Sequence, residues 1–215
     1  MRRAPLSLKV ACLACLTATP TLGLEFSGWT EQRFSMFSSN SYQQGGNRLD
    51  VTSRGTVSLL WTRLAPSQRD STGASWQWSV AQSVPPTALD RKGGDDRNLS
   101  LYFVFLPAAQ VAELENSTIR RLLEAEEARV LMYVWGGQSA RGSVLPSPYL
   151  GARGKTVVLR PAGTGSFNEQ VNLHADLRRA FGGMPDAQLV GVAVSADSDD
   201  TDSAISAVIA GLRLN

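Results

Sequence analysis

From Ala88 to Pro107 the chain reads A-L-D-R-K-G-G-D-D-R-N-L-S-L-Y-F-V-F-L-P, a polar loop that runs into one strongly patterned segment. Leu99, Leu101, Phe103 and Phe105 are all large and apolar, whereas Asn98, Ser100 and Tyr102 are polar. Alternation with period two marks a β-strand that turns one face into a core. Ahead of it, Gly93 and Gly94 allow backbone conformations that other residues resist, and Asp95 and Asp96 set two carboxylates at the entrance to the strand. This loop is the first candidate for a ligand site.

Toward the C-terminus the period changes. Ala108 to Ala128 places Val111, Leu114, Ile119, Leu122 and Leu123 among charged residues and predicts a helical insert laid over a sheet. Arg129 to Trp135, R-V-L-M-Y-V-W, is nearly continuous apolar and predicts a central strand. Gly136 to Gly154 reads as loop. Within it, G-A-R-G-K-T from Gly151 fails as a phosphate loop, because the first glycine would fall on Tyr149 and Val157-Val158-Leu159 continues as strand. A short helix, His174 to Phe181, ends at Gly182-Gly183. Two apolar strands, Ala187 to Ala196 and Ala204 to Leu214, flank the acidic loop D-S-D-D-T-D-S from Asp197.

Upstream, Trp76, Trp78 and Val80 share a face, opposite Gln77 and Ser79. Two tryptophans so spaced form either a core layer or a platform for sugar stacking. Arg48 to Ser53 and Thr56 to Leu64, separated by Arg54-Gly55, have the spacing of a β-hairpin. Frequent strands with two modest helices predict a mainly β protein, an antiparallel β-sandwich of jelly-roll type.

Residues 1–23 have the layout of a secretory signal peptide: Arg2, Arg3 and Lys9, a short apolar run from Val10, then small residues up to Gly23. That run is too short to span a bilayer, and no later run is long enough. The expectation is a periplasmic or secreted protein, with residues 24–215 forming one sandwich domain. Both cysteines, Cys12 and Cys15, lie in the leader, which excludes a disulfide framework, a thiolate zinc site and a cysteine nucleophile from the remainder. Setting aside Arg2, Arg3 and Lys9 leaves 18 basic against 19 acidic residues, so nucleic acid is not an expected partner.

Few residues suggest catalysis. His174 is the single histidine, and Ser166 lacks the glycine-flanked turn of a hydrolase nucleophile. Glu169 is the only glutamate after Glu127, so an acid–base pair would draw on loop aspartates. Asp197, Asp199 and Asp202 could contribute oxygens to calcium, although Asp202 stands where an EF-hand loop needs glycine. If antiparallel neighbours bring the Gly93–Asp96 and Asp197–Asp202 loops to one end, Asp95, Asp96, Asp197 and Asp199 form a polar site, with Trp76 and Trp78 as candidate stacking residues.

Four segments together resemble the exported bacterial domain-of-unknown-function family 3047 (DUF3047). They are W-Q-W-S-V from Trp76, K-G-G-D-D with Y-F-V-F from Lys92, Y-V-W-G from Tyr133 with S-P-Y from Ser147, and A-D-L-R-R-A-F-G with G-V-A-V-S-A-D-S-D-D-T from Ala175. The resemblance implies an exported domain with a galactose-binding-like jelly roll, and implies no activity. Three functions remain open: a non-catalytic envelope module that binds glycans, a glycan-cleaving enzyme using loop aspartates, and a structural partner in a periplasmic assembly.

Overall fold

The computed structural model describes residues 22–114 and 116–215, so most of the expected leader lies outside the described residues. The strands are β1 (Leu22–Gly23), β2 (Thr30–Arg33), β3 (Ser41–Gly45), β4 (Arg48–Arg54), β5 (Val57–Arg63), β6 (Gly73–Gln82), β7 (Arg97–Pro107), β8 (Arg129–Gly136), β9 (Val144–Ser147), β10 (Gly151–Arg160), β11 (Gly165–Asn172), β12 (Ala187–Asp197) and β13 (Ala204–Leu214). Helices α1 (Ala108–Leu114) and α2 (Ile119–Glu124) join β7 to β8, and α3 (Leu173–Phe181) follows β11.

The strands form a jelly-roll sandwich. One sheet has the order β11-β6-β13-β4-β3, with β1 also on β13, and the other β2-β5-β12-β7-β8-β10-β9. Every pairing is antiparallel except β8 with β10, because β10 returns between β8 and the edge strand β9.

Alternation along β7 aims Leu99, Leu101, Phe103 and Phe105 between the sheets, where all four are fully buried. Trp76 and Trp78 meet them from β6. Ring centroids lie 6.3 Å apart for Trp76 and Phe103, 5.8 Å for Trp76 and Tyr133, and 5.6 Å for Trp78 and Trp135. Tilted aromatic pairs of this kind add about 0.5–1.5 kcal/mol each beyond the area they bury. Both tryptophans are therefore core residues, and neither offers a face to a sugar.

The outer face of the seven-stranded sheet is also covered. Val104 and Leu106 of β7 and Val130 and Met132 of β8 pack with Val111, Leu114, Ile119 and Leu122 of the two helices. A strand buried on both faces has no polar side to present, which accounts for the unbroken apolar run of β8.

Three local expectations change. The proposed hairpin of β4 and β5 is a crossover, since β4 pairs with β3 and β13 while β5 pairs with β2 and β12. Gly55, at φ 58°, turns the chain from one sheet to the other. The helical insert is broken in two around Ser117 and Thr118, and the Thr118 side chain caps α2 by accepting from the Arg121 N–H. The stretch read as loop after Gly136 contains β9 and the start of β10.

Candidate functional site

The helices cover only part of the outer face. Beyond Leu123, at the end where β7 begins and β12 ends, lies a cavity of about 370 Å³. Apolar residues Leu59, Leu89, Met132 and Leu150 line it, Phe34 and Tyr149 stand at it with more than half their surface exposed, and Asp95, Arg97, Asp197, Asp199 and Asp200 make it polar on one side.

Arg97 is the centre of that polar side. Pairing of β7 with both neighbours slips by one residue between Arg97 and Ser100, the mark of a bulge at the start of the strand. The bulge puts Arg97 in reach of Ser100 and Tyr102, while Asn98 bonds the Val84 N–H and Ser83 elsewhere. Gly136 makes room for it, because a Cβ there would stand 2.7 Å from the Arg97 Cβ.

The guanidinium is nearly saturated. Nε donates to Ser100 Oγ at 2.7 Å, Nη2 to the Tyr102 hydroxyl at 2.9 Å, and Nη1 to the Asp95 carbonyl at 2.8 Å. Nη1 also lies 2.9 Å from Asp95 Oδ2 and 3.0 Å from Asp197 Oδ2. Burial alone would lower its affinity for a proton, but Tyr102, Asp197 and Asp95 hold it raised.

One guanidinium thus serves two buried carboxyls. Burial pushes the Asp197 carboxyl up to about 8, against the pull of Arg97 and aided by the nearby Asp199 and Asp95. One of its oxygens, Oδ1, is buried without a hydrogen-bond partner among the described residues. A buried polar atom left unpaired costs free energy unless something else reaches it.

The loops expected to share an end do meet. Asp96 is fully buried and accepts from the Asp200 N–H at 3.2 Å, the Thr201 N–H at 2.8 Å and the Thr201 hydroxyl. It is a clamp between the two loops and does not line the cavity. Asp95 bonds Arg97 and accepts from the Tyr149 hydroxyl at 3.3 Å. Asp199 and Asp200 are exposed on the cavity wall, where burial together with Asp96 and Asp199 raises Asp200.

The calcium triad is not assembled. Asp197 is turned to Arg97, and Asp202, at φ 47°, lies over Gly55. Among the described residues the three acids whose oxygens all come within 4.8 Å of one another are Asp96, Asp199 and Asp200. Both oxygens of Asp96 already hold the loop, which leaves two exposed aspartates where calcium takes six to eight oxygens.

Aromatic residues at the cavity come from elsewhere than the tryptophans. Tyr149 is 61% exposed, with Lys92 Nζ 5.5 Å from its ring centroid. Phe34 is 56% exposed. The only sequence signal for either was an aromatic residue in a polar stretch, S-P-Y for Tyr149 and R-F-S for Phe34. His174 sits near the start of α3, next to the Asn172 cap, away from this cavity.

The family described as "Protein of unknown function (DUF3047)" matches residues 27–213. No curated protein matches the sequence. Solved structures with a similar fold include the xyloglucanase domain of NopAA from Sinorhizobium fredii, with a TM-score of 0.49 and 8% identity over 93% of this chain and 97% of that one. Another is a cellulase derived from Cel12A of Rhodothermus marinus, with a TM-score of 0.48 and 12% identity over 91% and 99%.

Proposed function

The chain belongs to the DUF3047 family, and within it we propose that this protein is an exported, non-catalytic module that binds a glycan unit in the cavity beside Arg97. The observation that carries the reading is the make-up of that cavity. It combines exposed Tyr149 and Phe34, an apolar wall, and a polar side with one buried carboxyl oxygen lacking a donor. A pyranose ring has the matching chemistry, a C–H face for the aromatic ring and hydroxyls for the carboxyl oxygens. Its volume falls within the roughly 300–1,000 Å³ of small-molecule sites.

Export rests on the leader pattern, and no helix among the described residues is long and apolar enough to cross a membrane. A periplasmic or secreted protein would meet cell-envelope or environmental glycans.

Cleavage is the second reading, because a carboxyl held protonated near neutral pH is what a general acid requires. Binding is favoured because a glycosidase needs two carboxyls about 5–9.5 Å apart that are free to act on the sugar, and Asp96 is spent holding the loop. The Oδ2 atoms of Asp95 and Asp197 are also both tied to Arg97.

A glycan array probed with the purified protein tests the proposal, followed by mass spectrometry of the bound glycans. The expected result is retention of intact glycans, lost in Tyr149→Ala. Absence of retention, or retention unaffected by that substitution, rejects this site, and shortened products establish cleavage.

A further inference from the structure

We propose that the sugar taken by this cavity carries a free amine, so that the ligand is a de-N-acetylated amino-sugar oligomer. This rests on the glycan reading and names the substrate class of the same site. The first observation is the charge of the wall: Asp95, Asp197, Asp199 and Asp200 line the cavity against Arg97 alone among the described residues. Lys92 lies against the Tyr149 ring and is not part of the wall.

The second observation is independent of charge. Asp197 has a side chain only 8% exposed, it lines the cavity, and its Oδ1 has no donor, while its Oδ2 is taken by Arg97. No side chain among the described residues donates to this oxygen, and Arg97 is already occupied by Asp95, Ser100 and Tyr102.

A sugar hydroxyl could reach Oδ1, but it would bring no charge to a wall with three more acidic than basic groups. Covering that wall with a neutral ligand removes water from the carboxylates and leaves their repulsion in place. An amine supplies both needs at once: it takes over the proton that burial holds on Asp197 and, as an ammonium, offers three donors and a positive charge to the carboxylate left behind and to the acidic wall. An N-acetyl group removes the charge and adds a methyl and a carbonyl, and a carbonyl oxygen beside carboxylates has no donor to meet. A bare cation fits less well, since Asp197 is not among the acidic residues whose oxygens converge.

Titration calorimetry with three oligomers of equal length decides the matter: glucosamine, N-acetylglucosamine and glucose, at low salt and neutral pH. The glucosamine oligomer is expected to bind about tenfold or more tighter than the other two, as a desolvated ion pair would give. Asp197→Asn should abolish that preference while weaker binding of the glucose oligomer persists. Asp199→Asn, on the exposed loop, is the second variant should the buried substitution fail to fold, and it should reduce the preference.

Equal binding of all three oligomers, or tighter binding of the acetylated one, overturns the amine assignment and leaves the glycan reading standing. A preference unchanged in both variants overturns its assignment to this oxygen. Failure of all three to bind overturns the glycan reading, and the inference falls with it.

Discussion

The two faces of the seven-stranded sheet are built from the same strands and solve opposite problems. The inner face fills the gap between the sheets with Leu99, Leu101, Phe103 and Phe105 against Trp76, Trp78, Tyr133 and Trp135, all apolar or aromatic and almost all sealed from water. The outer face is sealed only as far as the helices reach, and past Leu123 it holds Arg97 between Asp95 and Asp197 beside an open cavity. Close packing of apolar surface stabilises a fold, and the polar ends that Trp78 and Tyr133 bring to this face are met by Glu169 and Asp176. Buried ions next to a cavity are weak evidence for stability, since desolvation offsets most of their attraction. The difference between the faces separates the part of the sheet that holds the sandwich together from the part available for recognition.

The largest expected effect is on the inner face. Phe103→Ala should lower the stability by about 3–5 kcal/mol, read as a shift in the urea denaturation midpoint at constant slope. An unchanged midpoint would mean that the two faces do not differ in the way described.

A smaller effect is expected where the outer face is closed by its loops. Asp96→Ala removes the acceptor for the Asp200 and Thr201 amides and should cost about 1.5–3 kcal/mol, as hydrogen bonds to a charged group do. Hydrogen exchange at those two amides should accelerate before the strands open. If exchange there keeps pace with the core, Asp96 is not the clamp.

The pH dependence sharpens the contrast most. Asp197 is faced by Arg97 and Asp95 at the start of β7 and by Asp199 on its own loop. Its folded value, about 8, lies above the ordinary 3.8, so the native state holds a proton that the unfolded chain has released. That contribution is complete below the ordinary value and is lost as pH rises through the folded one. Wild type should therefore lose more stability than Asp197→Asn between about pH 5 and pH 8, in paired denaturation series. Parallel profiles would show that Asp197 is ionised in the fold and that Arg97 neutralises both carboxyls.

Much of the inner face was legible in residue order. A strand with period two announces its buried side locally, and Leu99 to Phe105 required no knowledge of what they would touch. Trp76 and Trp78 were less decided, because spacing puts two indoles on one face without saying whether another sheet lies over it. At the site, Asp95, Asp197 and Asp199 were legible as acids in loops, and Asp96 was legible as a residue without being legible as a clamp. Arg97 was missed because its role depends on a one-residue bulge, which needs the partner strands and the space at Gly136 to be seen. Tyr149 and Phe34 were missed as a pair because they are 115 residues apart and only the folded chain puts both at one cavity.

Sequence by itself determined that this is a β-rich chain with one deeply buried strand face, no cysteine after Cys15, and acidic loops at the ends of two strands. Those properties follow from side-chain chemistry and near-neighbour periodicity, which operate over a few residues. Only the tertiary structure decided that β4 and β5 part into different sheets, that the tryptophans are covered, and that one arginine lies between two aspartates 102 residues apart. The physical reason is that pairing between distant strands, and the burial it imposes on polar groups, depends on which surfaces meet. No local pattern of residues encodes that meeting.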